Sequence, residues 1–279
     1  MLVPRELLDS VVSLGVETAD GFHPAGAAYF VTVPATLVPD KRHTYLVTAG
    51  NCVRGRDNLV TRLNAPGGGT VVDLLPQEDR WLRLVEPDLG EQYVDLAAVR
   101  WNAEVSAEAG YKSIPLETLF DERLVGNEAD VGVGIGDEVF TVALTGVRYA
   151  QEQDAPLART GNVSMVPREP MLVRFENGPE LRMRLYLIEL LSGGGVSGSP
   201  VFARPRVGQG GGSGTSIALL GTLVGPWDGG ARAEEPTGLA KVLPAQLLKD
   251  LLFQEEEAEK RRDAEQRHID GDDGWLTDR

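Results

Sequence analysis

The chain has 279 residues, with 27 Lys and Arg against 42 Asp and Glu, and a net charge of −15 at pH 7. That excess of acid excludes a broad electrostatic footprint for nucleic acid or for an anionic membrane surface. One cysteine, Cys52, and three histidines exclude a disulfide framework and lack the spacing of a structural zinc site, so no metal and no other cofactor is expected.

In chain order, the stretch from Met1 to Glu17 carries Arg5, Glu6 and Asp9 and lacks the basic, apolar and small-residue succession of a signal peptide. A cytoplasmic chain is expected on that ground. The apolar stretch Leu185 to Leu191, interrupted by Glu189, falls far short of the roughly 20 residues that cross a bilayer. Short runs rich in β-branched residues recur between turn formers: Val11 to Val16, Ala28 to Val33, Thr44 to Ala49, Thr70 to Leu74, Leu96 to Trp101, Val139 to Leu144, Leu181 to Leu191, Val201 to Ala203 and Ile217 to Val224. They read as strands. No unit repeats at a fixed period, so two barrels or a sandwich fit better than a solenoid or propeller.

Between Asn102 and Glu138 the pattern loosens into Glu, Ala, Gly and Pro, which reads as a linker. It divides the chain into units 1–125 and 126–253. The Gly-rich stretch 208–214 reads as a hairpin loop. From Leu243 the period changes: Pro244 suits a first helical turn, and Leu247, Leu248, Leu251 and Leu252 recur at helical spacing. Residues 254–279 hold ten acidic side chains against five basic ones and read as a helix running out into solvent, then an acidic end.

The stretch Ser192 to Phe202 carries the chemistry. Its glycines Gly193, Gly195 and Gly198 spell G-x-G-x-x-G, but a dinucleotide fingerprint must open a helix, and Ser199-Pro200-Val201-Phe202 leads into a strand. A nucleophile elbow fails too, because Pro200 stands where its helix would begin. What remains is a serine in a glycine-rich turn between strands, whose backbone N–H groups can converge on one point as an oxyanion hole does.

Here the sequence resembles the trypsin-like (chymotrypsin-like) serine peptidases. Gly195-Val196-Ser197-Gly198-Ser199-Pro200 matches their G-[DN]-S-G-[GS]-P motif except at Val196. Tyr45-Leu46-Val47-Thr48-Ala49-Gly50-Asn51-Cys52 is similar to the strand ending in T-A-x-H-C, with Asn51 at the histidine position. Asp95-Leu96-Ala97-Ala98-Val99 resembles the strand that carries the aspartate, and the three stand in the family's chain order. Gly136-Asp137-Glu138-Val139-Phe140 and Leu220 to Gly225 resemble two strands of the second barrel, so the likeness runs over about residues 8 to 252.

The resemblance implies an all-β protein of two antiparallel β-barrels, six strands each, with a C-terminal helix. It implies Ser197 as nucleophile, Asp95 as its distant carboxylate, Asn51 at the histidine position, and an oxyanion hole from Gly195 and Ser197. Leu191 would floor an apolar pocket, and Val224, Gly225 and Pro226 would line the groove for a polypeptide substrate or peptide ligand. An asparagine amide neither takes nor returns a proton near pH 7, so ordinary turnover should be lost. His43, eight residues earlier, would lie about 26 Å away along its strand and is a poor substitute. Two alternatives stay open: a peptide-binding or regulatory module using the former groove, and an active endopeptidase whose histidine has been replaced. Cys52 has no second cysteine to pair with and reads as a buried thiol.

Overall fold

The computed structural model describes residues 3–65, 67–85, 93–118, 132–144, 148–149, 153–174, 180–190, 196–204, 217–227 and 237–272. A short helix α1 (Arg5–Leu8) precedes seven strands: β1 (Val11–Thr18), β2 (Gly21–Pro34), β3 (Arg42–Ala49), β4 (Leu59–Asn64), β5 (Thr70–Leu74), β6 (Leu82–Val85) and β7 (Tyr93–Trp101). Helix α2 (Ala103–Glu108) and the two-residue β8 (Ile114–Pro115) follow. The second half holds β9 (Glu138–Ala143), β10 (Arg148–Tyr149), β11 (Gln153–Asp154), β12 (Leu157–Met165), β13 (Met171–Arg174), β14 (Glu180–Met183), β15 (Tyr186–Glu189), β16 (Pro200–Ala203), β17 (Ala218–Pro226) and β18 (Leu239–Pro244). Helices α3 (Ala245–Leu252) and α4 (Glu255–Ile269) end it.

The protein is all-β with C-terminal helices. In the second half β12, β15, β18, β17, β16 and β9 close a barrel of six antiparallel strands. The first half is an eight-stranded sheet in the order β5-β4-β1-β2-β3-β7-β6, with β8 beside β2. Among the described residues its two ends, β5 and β6, are not bonded to each other. The outer strand β5 shows why: Val71, Val72 and Leu74 are exposed, so it does not turn a face inward as a barrel stave would.

One apolar core joins the halves. Val11, Leu14, Phe30, Leu46 and Leu96 of the sheet share it with Phe140, Phe202 and Val224 of the barrel and with Leu248 and Leu251 of α3. A second cluster, including Tyr186, Ile188, Leu220 and Val242, fills the barrel. Polar ties cross the junction as well: the Tyr29 and Thr222 hydroxyls lie 2.7 Å apart, and Arg62 makes a buried bidentate pair with Asp154.

Two sequence expectations are corrected. The stretch after Asn102 is not all linker, since α2 forms and Ile114 and Leu116 are buried against the sheet; the boundary at 125 lies outside the described residues, as does the 208–214 loop. The helical part of the tail, α4, does not run out into solvent, and the acidic end from residue 273 lies outside the described residues. On β3, His43 and Tyr45 point to one face, and α4 covers it with Glu257, Arg261 and Glu265, all buried. Glu257 accepts from Tyr45 Oη at 2.7 Å and from Arg100 Nε at 2.6 Å. Arg261 donates to Tyr45 Oη at 3.0 Å and to the Leu252 carbonyl at 2.5 Å. Glu265 accepts from the backbone N–H groups of Thr36 and Leu37, and His43 Nε2 lies 2.8 Å from its other oxygen. Positions i, i+4 and i+8 share one helix face, so a charged stripe does here what an apolar stripe does elsewhere. Composition concealed it because the hydrogen-bond partners of these charges lie more than 150 residues away in sequence, the Leu252 carbonyl excepted.

Candidate active site

β3 ends at Ala49 and the chain tightens into a 3-10 turn, Gly50–Cys52, which carries Asn51 beside the neighbouring strand β7. The Asn51 backbone N–H favours the charged form of the Asp95 carboxyl, and the Asn51 carbonyl accepts from Arg56 Nη1 at 2.5 Å. The Asn51 Oδ1 has the Cys52 thiol at 3.4 Å.

Asp95 is 1% exposed. Its Oδ1 lies 3.3 Å from Arg54 Nη2, while its Oδ2 has no hydrogen-bond partner among the described residues. Burial pushes its carboxyl above the usual range, against the pull of Arg54, the Asn51 N–H, Arg83 and Lys241.

Ser197 sits in a tight turn leading into β16. The Ser199 N–H returns to the Val196 carbonyl at 3.1 Å, and the Gly198 N–H reaches the Leu223 carbonyl at 2.7 Å. The Ser197 carbonyl accepts from the Ala27 N–H at 2.8 Å and has the Cys52 thiol at 3.5 Å. The turn is therefore pinned to β2 and to the turn of Asn51. Cys52 touches both, is free and buried, and burial pushes its thiol up to about 11, which makes it packing rather than a nucleophile.

β17 borders Ser197. It pairs with β16 only over Ala218–Thr222, then with β18 as far as Pro226. Beyond Leu223, whose N–H goes to the Ser199 carbonyl, no strand among the described residues pairs with its other edge. Val224 is buried in the core and offers only its backbone there, Gly225 is buried, and Pro226 is exposed. Leu191 and Gly195, expected in the pocket and the oxyanion hole, lie outside the described residues.

Sequence reasoning missed three cations near the site, Arg54, Arg83 and Lys241. Arg54-Gly55-Arg56 was visible as a basic cluster just past Asn51, but nothing in the sequence places Arg83 or Lys241 beside Asp95. Among the described residues no three His, Cys, Asp or Glu side chains are grouped to hold a metal ion, and no helix is long and apolar enough to cross a membrane.

No protein-family model and no curated protein matches the chain. Among solved structures it is similar to the Rv3671c protease of M. tuberculosis in its active form, at 15% identity over 89% of this chain and 81% of that one, with a TM-score of 0.47. It is also similar to the HtrA-type protease AlgW, at 12% identity over 95% of this chain and 66% of that one, TM-score 0.49. A third likeness is to AL20, a thermostable serine protease from an extremophilic microorganism, at 15% identity over 88% of this chain and 96% of that one, TM-score 0.44.

Proposed function

We propose that the chain is a trypsin-like serine peptidase domain with a degenerate triad, in which Asn51 stands where the histidine would and peptide cleavage is lost or severely impaired. The observation that carries this is the buried Asp95 Oδ2 without a partner. A buried carboxylate oxygen left unpaired is costly, and in a Ser-His-Asp site a ring N–H of the histidine is the donor that orients against the carboxylate. An asparagine in that place leaves the acceptor behind and removes the proton carrier.

The chemistry that remains follows from the residues. Without a histidine at position 51 the Ser197 hydroxyl loses that base, so attack on a carbonyl must proceed from the neutral alcohol. Binding and oxyanion stabilisation alone retain about 10³ to 10⁴-fold acceleration over water when a triad member is removed. The groove does not depend on that proton: the edge of β17 at Val224 to Pro226, unpaired among the described residues, can take an extended peptide as an added strand. A peptide-binding role is the second reading, favoured by that edge.

A fluorophosphonate probe tests the proposal. The expected result is negligible labelling of the wild type at Ser197, together with measurable binding of extended peptides. Rapid labelling that disappears in Ser197→Ala would overturn the loss of the base.

A further inference from the structure

Lys241 is a buried lysine on β18, 4% exposed, and no part of the reading above uses it. It pairs with Gly225 of β17, just past an irregularity in the register between Leu223 and Gly225. Directly opposed residues of an antiparallel pair point to the same face, with Cβ positions about 5 Å apart. Gly225 identifies that face: a Cβ built there would lie 3.8 Å from Ser197 Oγ. With φ at +134° the position favours glycine, so β17 itself puts no side chain there. A four-carbon stem reaches about 5 Å beyond its Cβ, far enough to bring the ammonium over Gly225 toward Ser197. Its charge is also felt by Asp95, whose carboxyl it pulls down.

We propose that Lys241 makes this groove selective for an acidic side chain, Asp or Glu, on the peptide residue that lies against Gly225. This rests on the reading of β17 as a peptide-binding edge. A peptide added there runs about 4.8 Å from β17, and its residue facing Gly225 projects to the face shared by Lys241 and Ser197. Over the bare glycine the peptide side chain meets the lysine coming from the other side. The charges around Asp95 favour an added anion: Arg54, Arg83 and Lys241 all act on that carboxylate, which Arg54 already pairs, and Glu78 is paired with Arg83. Lys241 is engaged within the chain, but an ammonium has three N–H bonds to give, and a carboxylate can be added to that contact. In a chain of net charge −15, such a local concentration of cations is a selective feature rather than a general attraction.

The test uses the full chain carrying Ser197→Ala, so that no bound peptide is cut, immobilised and offered a randomised synthetic decapeptide pool, with the retained peptides sequenced. Asp and Glu should be enriched over Leu and Gln by about tenfold at one position of the aligned peptides. Adding Lys241→Met should abolish that enrichment, Lys241→Arg should keep it, and Lys241→Glu should shift it to Lys and Arg. Should the methionine variant not melt cooperatively, the arginine and glutamate variants carry the comparison. Retained peptides without acidic preference, or a preference that survives Lys241→Met in a folded protein, would overturn the inference and leave the peptide-binding reading standing. No retention of any peptide would overturn both.

Discussion

The backbone N–H of Ala27 donates to the carbonyl of Ser197 at 2.8 Å, so a residue of the first half sets the position of the turn on which the candidate nucleophile sits. The bond needs close approach. At Gly26, a Cβ would press into Cys52 Sγ and stand 2.7 Å from the Ser197 carbonyl oxygen.

Gly26→Ala therefore forces the turn of Ser197 away from β2. Overpacking of this kind costs about 1 to 3 kcal/mol, and thermal melting should show it. Peptide binding at the β17 edge should weaken in the same variant, because the Gly198 N–H ties that turn to Leu223.

Asn51→His should give Asp95 Oδ2 the donor it lacks and Ser197 a base. Hydrolysis of chromogenic peptides should rise by about 10² to 10⁴-fold over wild type. The gain should vanish in Asn51→His/Ser197→Ala. A folded Asn51→His protein without activity would favour the peptide-binding reading, since Val196 already departs from the Asp or Asn expected beside the nucleophile.

Asp95→Asn should alter the pH dependence of stability. Because burial raises the Asp95 carboxyl in the folded protein, the favourable contribution of its neutral form is fully present below the unfolded pKa of about 4 and is lost as pH rises through the folded value. Urea midpoints should show the variant gaining on the wild type as the pH is raised from about 4 towards neutrality. Equal pH profiles would mean that the carboxylate is compensated by its neighbours.

Glu265→Ala removes the acceptor for two backbone N–H groups and for His43. Breaking a buried charged network of this kind costs about 3 to 5 kcal/mol, read as a drop in melting temperature. Burial raises the Glu265 carboxyl, but the Leu37 N–H, His43 and the Thr36 N–H outweigh it and hold it below the usual range. Its contribution is present above the unfolded pKa and lost as pH falls, so the wild type should lose more stability in acid than Glu265→Ala does.

How much the sequence revealed depended on whether a residue's role is local. Asn51, Asp95 and Ser197 stood out because each lies in a short motif whose neighbours are fixed by strand and turn geometry, and Thr70 to Leu74 was legible as a strand for the same reason. β12 was missed because Leu157–Met165 mixes Arg, Thr, Gly, Asn and Ser into its run, and barrel closure rather than local propensity decides its state. Lys241 was invisible because its meaning comes from pairing with Gly225 on another strand. The charged face of α4 was misread because solvent is the default partner of Glu and Arg, and only β3 and β7 could show otherwise.

That helix has a consequence for the order in which the protein can be made. His43 and Tyr45 belong to the third strand synthesised, yet their hydrogen-bond partners Glu265, Glu257 and Arg261 follow more than 200 residues later. While the ribosome is still producing the barrel, the emerging sheet exposes a polar face on which Tyr45, Arg100 and His43 lack the partners that α4 supplies. Contacts this distant in sequence form late. The first half of the chain to appear is thus among the last to be completed, and a nascent chain halted before residue 255 should present β3 to proteases that the finished protein resists.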